Sequence, residues 1–499
     1  MIHKQTLRLL RFSLITFLFG MGLSNLLFAQ DFETYLAGIA QKHQLVGMSA
    51  IVVHDGQMVE SLHFGKADIE RNIPIGKKTM YRIASISKLV TATALMKLYE
   101  EGSLDLDKDV SEYLGYQFRH PNHPNAPITA KMLLAHTSGL RDGKGYFDFL
   151  KASYGSTPKN ISGLLTIEGS YHTSDLWGTE IPGKYFTYAN INYGVIGTLI
   201  EKISGKRFDL YVKEVILDPL GMDGSFNVSD IANIEDMAVL YRKGIPQADN
   251  YGGVSPSRNM DHYIVGSNGL AFAPQGGLRT SAESLGKFMQ MHINYGKVEG
   301  KQVFDSTTIA KIHEPVWTYS STGNGNNYHE LFNQWGCGAH LITNKPNGDI
   351  VIDNLKMVGH PGEAYGLISD MYFNTEHRFG VIFITNGYYR DKGYSYGQRS
   401  AFYGPEEETF MAVEQYYYPL ISALNQETQE KETFYVSQKD KQVHFTDTPK
   451  GTLLIYSLQG KLLRQVTVNS KRISLKEQGA CILVHQTEGK VSAVRKVTL

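Results

Sequence analysis

Three places in this 499-residue chain set a lysine three residues after a serine: Ser85-Ile86-Ser87-Lys88, Ser156-Thr157-Pro158-Lys159 and Ser284-Leu285-Gly286-Lys287. On a helix such a pair shares one face, so the amine reaches the hydroxyl, the layout of a lysine-activated serine nucleophile. Spacing alone does not choose among the three. Ser85 differs in opening an apolar run, Leu89-Val90-Thr91-Ala92-Thr93-Ala94-Leu95-Met96. A helix beginning there places the serine hydroxyl and its NH in the positive end of the helix dipole, which suits a developing oxyanion. It also sets Lys88 against apolar neighbours, where desolvation lowers its pKa and makes it a usable base.

Other chemistries fit less well. Lys+Arg and Asp+Glu both total 49 and the pI is about 7.3, so no overall field gathers nucleic acid. His120-Pro121-Asn122-His123 has ligand spacing, but no acidic or cysteine cluster accompanies it. It reads as a proline-stiffened surface loop, and neither metal nor cofactor is expected. His136 and Ser138 are too close in sequence to aim at one another as a serine–histidine pair. Cys337 and Cys481 are the two cysteines, and they fall in segments assigned to different domains, which predicts free thiols.

The elements that must position these groups follow from patterning. Lys4, Arg8 and Arg11 precede an interrupted apolar stretch, Phe12 to Phe28, and Leu27-Phe28-Ala29 offers a cleavage site. Residues 1–29 therefore read as a signal peptide rather than a membrane anchor, with no transmembrane segment in the mature form. Val46 to Gln57 turns at Asp55-Gly56 and returns over Ser61 to Lys66 as a hairpin. Helical periodicity then dominates an insertion at about 110–280. Strands are predicted at Trp335 to Leu341, Leu355 to His360, Gly366 to Phe373 and Phe379 to Asn386, and a closing helix from Glu407 to Leu424 packs through Tyr417 and Leu420. The fold class is α+β, one antiparallel sheet built from both ends of a domain spanning 30–424 and flanked by helices. Residues 425–433 are polar and charged, a linker. From Phe434 to Leu499 alternating strands, including a turn at Leu458-Gln459-Gly460-Lys461, predict a small β-sandwich.

Four motifs occur in order: Tyr81-Arg82-Ile83-Ala84-Ser85-Ile86-Ser87-Lys88, His136-Thr137-Ser138-Gly139-Leu140, Tyr188-Ala189-Asn190 and His360-Pro361-Gly362-Glu363. Together they resemble the serine hydrolases of the class C β-lactamase and penicillin-binding-protein superfamily over roughly residues 33 to 424. The resemblance selects Ser85 as nucleophile, implies an acyl-enzyme released to water, and makes the His136 segment a structural turn. Tyr188 becomes the partner of Lys88: a phenol near an ammonium is stabilised as phenolate and can carry a proton to the leaving group. Asn190 is expected to hydrogen-bond a substrate amide or Lys88. Gly276 to Ser281, ahead of Ser284, resembles a packing landmark of the same family.

The last motif departs from the lysine-threonine-glycine of β-lactamases. His360 replaces the lysine, Pro361 removes the hydroxyl, and Gly362 keeps the close backbone approach. Pro361 implies an edge strand beside the cleft. Strand amides alternate, so the NH of Glu363 points the same way as position 361 and is expected beside the Ser85 NH as second oxyanion donor. A mostly neutral His360 is expected to hold a substrate carboxylate less firmly than lysine would. Small amides, D-aminoacyl peptides or esters are therefore favoured over penicillins, and Glu363, otherwise a solvated side chain, could attract an amine.

At the C-terminus, Leu454 to Leu463, Ile473-Ser474-Leu475, Gly479 to Val484 and Arg495-Lys496-Val497 resemble the sorting domain of the type IX secretion system of Bacteroidetes. That resemblance implies the type IX machinery as partner and a secreted or cell-surface protein. The alternative is a non-catalytic surface binding or adhesion protein that keeps the fold, against which stands the full set Ser85, Lys88, Tyr188 and His360.

Overall fold

Asp55 and Gly56 both take positive φ, 49° and 71°, the geometry of a two-residue turn matched to strand twist. They join β1 (Gly47–His54) to β2 (Gln57–Asp68), and every residue of β1 is buried. The computed structural model describes residues 32–153, 158–257, 260–270, 272–388, 396–425, 434–437, 440–446, 450–457, 462–478, 480–487 and 490–498. The expected signal peptide, Ser156, residues 426–433 of the expected linker and the turn expected at 458–461 lie outside them.

Because β1 is apolar on both faces it takes a central place. It belongs to a nine-stranded antiparallel sheet with β2, β3 (Ile73–Pro74), β4 (Trp317–Thr318), β5 (Gln334–Trp335), β6 (His340–Leu341), β7 (Val358–Ala364), β8 (Leu367–Asn374) and β9 (Phe379–Thr385). The order is β4-β5-β6-β7-β8-β9-β1-β2-β3. Early and late strands meet at the β1–β9 pair, Val52 opposite Val381, as the patterning predicts. The single strand expected over Trp335 to Leu341 is instead the hairpin β5–β6.

β7 corrects the expectation of an edge strand. It pairs with β8 from Val358 to Ala364, and with β6 at Val358 and Gly359 alone. From His360 onward one side of β7 is open, so Pro361 sits just where no ladder partner requires its missing NH.

Helix α1 (Ile86–Glu100) is buried nearly all round, from Ile86 to Leu98 save Lys97, as expected of a helix apolar on every face. It packs between β7 and α2 (Ile191–Ser204), whose first eleven residues are also buried. On the sheet, α3 (Ala282–Ile293) covers β1, β8 and β9. The expected helical insertion is helical to about residue 217 and then carries short strands, among them Gly224–Ser225, Leu240–Arg242 and Arg279–Ser281. Helix α4 (Gly404–Asn425) follows, with Tyr417 buried; the side chain of Leu420 lies outside the description. No helix of the described residues is long and apolar enough to cross a membrane.

Contacts divide the chain into a unit of residues 39–418 and a second containing the C-terminal strands. There, Phe434–Ser437, Gln442–Phe445 and Arg472–Ser474 form one sheet, and Gly451–Ser457, Leu462–Val468, Ala480–Thr487 and Lys490–Thr498 the other. Phe434, Val443 and Phe445 of the first share a core with Leu453, Ile455 and Leu483 of the second, which makes a sandwich. Cys337 and Cys481 are both buried free thiols.

Candidate active site

Ser85 is half-buried and follows Ala84, whose φ of 47° is the left-handed conformation non-glycine residues seldom adopt. The sharp turn sets the serine at the start of α1. One helical turn on, Lys88 is fully buried. Its Nζ lies 2.9 Å from Ser85 Oγ, 2.8 Å from Asn190 Oδ1 and 2.6 Å from the Gln275 carbonyl. Burial lowers its pKa from 10.5 to about 7, against a smaller opposing pull from the Asp142 charge. A neutral amine has two N–H donors and one lone pair. Asn190 Oδ1 and the Gln275 carbonyl can only accept, so they take the donors and leave the lone pair for the Ser85 hydroxyl.

Asn190 occupies the N-cap of α2. Its backbone NH and Nδ2 donate to Asp142 Oδ2 at 3.0 and 2.9 Å, and the Ile191 NH donates to Asp142 Oδ1 at 3.0 Å. Asp142 thus satisfies orphan amides at a helix start and turns the Asn190 oxygen toward Lys88. Sequence reasoning missed it, since no spacing rule links residue 142 to residue 190.

The Tyr188 ring lies between His136, stacked at 4.4 Å between centroids, and Phe332, stacked at 5.5 Å. Lys88 Nζ sits over its face, 5.0 Å from the centroid, and the Ser85 side chain hydrogen-bonds its hydroxyl. The expected phenolate is corrected: burial pushes the phenol well above its ordinary value, and the Ser85 hydrogen bond offsets little of this. Tyr188 is a neutral phenol at rest. His136 is a platform for it, as the structural reading of that segment allows. Its Nδ1 accepts from the Ala189 NH at 3.1 Å, and burial, then the Lys88 charge, keep the ring neutral. Ser138 Oγ donates to Asn192 Oδ1 at 2.6 Å and ties this turn to α2.

On β7, Gly362 and Glu363 border the cavity in front of Ser85. A Cβ on Gly362 would lie 2.4 Å from Ser369 Oγ, 2.9 Å from the Ile83 carbonyl and 3.1 Å from the Ser85 nitrogen, so only glycine fits. The Glu363 NH lies on the stretch of β7 with one open side. Its carboxylate accepts from Tyr403 Oη at 2.8 Å. His360 departs from expectation. It is fully buried and absent from the cavity wall, with its ring 6.0 Å from Tyr188 and 5.2 Å from Trp335. Its Nδ1 donates to the Pro361 carbonyl at 2.6 Å, and burial, then Lys88, hold it neutral. It packs against Tyr188 and Trp335 and does not line the cavity.

The cavity holds about 270 Å³ and is lined by Ser85, Tyr188, Asn190, Gly362, Glu363 and six further residues including Phe332, Pro361 and Glu406. The rival pair Ser284 and Lys287 lies elsewhere. Ser284 Oγ accepts from the Asp223 NH, and Lys287 Nζ donates to the Gly221 carbonyl. His120 and His123 donate to the carbonyls of Gly178 and Thr179, and among the described residues no cluster suited to a metal occurs.

The profile of the Beta-lactamase family matches residues 28–402. The chain belongs to the beta-lactamase family. Among curated proteins it is similar to Protein flp of Staphylococcus aureus (strain MRSA252), 30% identical over 201 residues, 39% of this chain and 37% of that one. It is also similar to the putative penicillin-binding protein PbpX of Bacillus subtilis (strain 168), 30% identical over 35% of this chain and 39% of that one. The chain thus spans little more than a third of these relatives' length. Among solved structures, the octameric penicillin-binding protein homologue from Pyrococcus abyssi superposes with a TM-score of 0.55 at 21% identity, covering 94% of this chain and 95% of that one. D-amino acid amidase from Ochrobactrum anthropi SV3 gives 0.54 at 20% identity over 77% and 99%. Both likenesses establish the fold.

Proposed function

We propose that this chain is a serine hydrolase that acylates on Ser85 and releases the acyl group to water, with small amides, peptides or esters as substrates. The observation that carries it is the Lys88 amine, buried, near-neutral in pKa and with its two other contacts both acceptors, 2.9 Å from the Ser85 hydroxyl. Lys88 takes the proton as Ser85 Oγ attacks the carbonyl carbon. The NH groups of Ser85 and Glu363 receive the oxyanion. Tyr188, a neutral phenol hydrogen-bonded to Ser85, hands its proton to the departing amine or alkoxide and recovers one from Lys88. Water then repeats the sequence in reverse on the acyl-enzyme.

The buried, neutral His360 supports weak recognition of a substrate carboxylate, and so a poor β-lactamase. D-amino acid amidase from Ochrobactrum anthropi, similar in fold, adds support for amides. Ser85→Ala removes hydrolysis of p-nitrophenyl esters and amino-acid amides in this reading; retained hydrolysis overturns it. We further take residues 1–29 as a signal peptide and the C-terminal sandwich as the signal for type IX export, supported by the motifs at Leu454 to Leu463 and Gly479 to Val484. Deleting residues 434–499 then holds the protein in the periplasm, and unchanged delivery outside the cell counts against it.

A further inference from the structure

The wall of the Ser85 cavity carries acids. Glu406, in the first turn of α4, is 4% exposed and lines the cavity, as does Glu363. Behind Glu406 lies Asp370, fully buried, the cross-strand neighbour of Pro361 and therefore on the same face of the sheet. Among the described residues no ordinary donor gives either Asp370 oxygen a hydrogen bond; the group within reach is the Glu406 carboxyl. Burial pushes Asp370 up to about 8, and burial with the Asp370 charge pushes Glu406 well above its ordinary value. Two adjacent buried carboxyls cannot both ionise without a counter-charge, so they share a proton.

Aromatic rings make up much of the remaining lining: Phe332, Phe402 and Tyr403, together with Leu331, and Tyr188 beside the serine. Aromatic faces with carboxylates, and no lysine or arginine among the described lining residues, match the chemistry of an organic cation. The oxyanion donor assigned above and one carboxylate belong to the same residue, Glu363. A carbonyl oxygen seated on that NH keeps its near substituents within a few bonds of these acids.

We propose that Glu406 and Glu363, backed by Asp370, form a subsite for a primary ammonium, so that the acyl donor is an amide, peptide or ester with a free amine near the scissile carbonyl. The ammonium supplies a counter-charge that no described lining residue offers the acid pair, and displaces its shared proton. This rests on the hydrolase reading above. It goes beyond the loss of carboxylate recognition at His360, because it names what is recognised instead.

The test compares aminoacyl p-nitroanilides and methyl esters, D and L, with their N-acetyl counterparts, on the full chain. The expected result is a kcat/KM at least about tenfold higher for the free amine in one stereochemical series, a ratio equal to about 1.4 kcal/mol. Glu406→Gln, which keeps an acceptor for the Tyr403 NH, and Glu363→Gln, at an exposed position, each shrink that ratio. Acetylated substrates turned over as fast as free amines, or a ratio unmoved by both substitutions, overturns the subsite while leaving the hydrolase intact. Turnover of neither form, or turnover that survives Ser85→Ala, overturns the hydrolase reading and the subsite with it.

Discussion

Replacing Lys88 with methionine separates catalysis from stability, because the buried amine serves one and opposes the other. Its pKa falls from 10.5 to about 7 on folding, chiefly through burial. Between those values the unfolded chain binds the proton and the folded chain does not, so wild-type stability rises with pH across the window. At about 1.4 kcal/mol per pH unit the whole span is worth about 5 kcal/mol, an upper bound for one buried group. Lys88→Met has no such dependence. The difference in unfolding free energy, variant minus wild type, is therefore expected to shrink by up to about 1.4 kcal/mol for each unit from pH 7.5 to 9.5. All three tryptophans, Trp177, Trp317 and Trp335, lie in the unit of residues 39–418, so their fluorescence in urea follows that unit alone. The same substitution lowers acylation by about 10² to 10⁴. A stability difference that stays constant with pH refutes the lowered pKa and, with it, the assignment of Lys88 as the base.

In the wild type, kcat/KM rises about tenfold per pH unit below about 7 and levels off above it, as Lys88 loses its proton. Asp142→Asn removes a charge that raises the Lys88 pKa, so a stopped-flow pH profile shows that rising limb moved to lower pH, with a lower plateau because Asn190 is no longer held. Tyr188→Phe keeps both ring stacks and loses the hydroxyl; it is expected to cut amide turnover by about 10² or more with a melting temperature close to wild type. Gly362→Ala forces a Cβ against the Ser85 nitrogen and the Ile83 carbonyl, which predicts lost acylation together with destabilisation of about 1–3 kcal/mol, read by probe labelling and urea unfolding.

How much of this was readable beforehand differs from group to group. Helical spacing, a local property, offered Ser85 and Lys88 as one of three pairs; motif order chose among them, and the apolar run after them announced the burial that lowers the lysine pKa. The sheet was legible too, since β1 and β9 are predominantly apolar over their length and the Asp55-Gly56 turn fixes its own geometry. Tyr188 and Asn190 were reachable only through the order of motifs. Asp142 was not: it acts by folding back 48 residues onto a helix start, which no periodicity encodes. His360 was placed on the substrate because a motif position shows chemistry but not depth, and the rings of Trp335 and Tyr188 bury it. The edge at Pro361 was half right, because β6 ends at Leu341 and covers only the first two residues of β7. Asp370 and Glu406 are 36 residues apart in sequence, and only the fold sets them together, with Glu406 on the wall of the Ser85 cavity.

Labelling with a fluorophosphonate followed by peptide mass mapping tests the central claim most directly. The account predicts one adduct, on Ser85, formed faster as pH rises to about 7 and lost in Lys88→Met. An unlabelled Ser85, or an adduct on Ser284 instead, contradicts it.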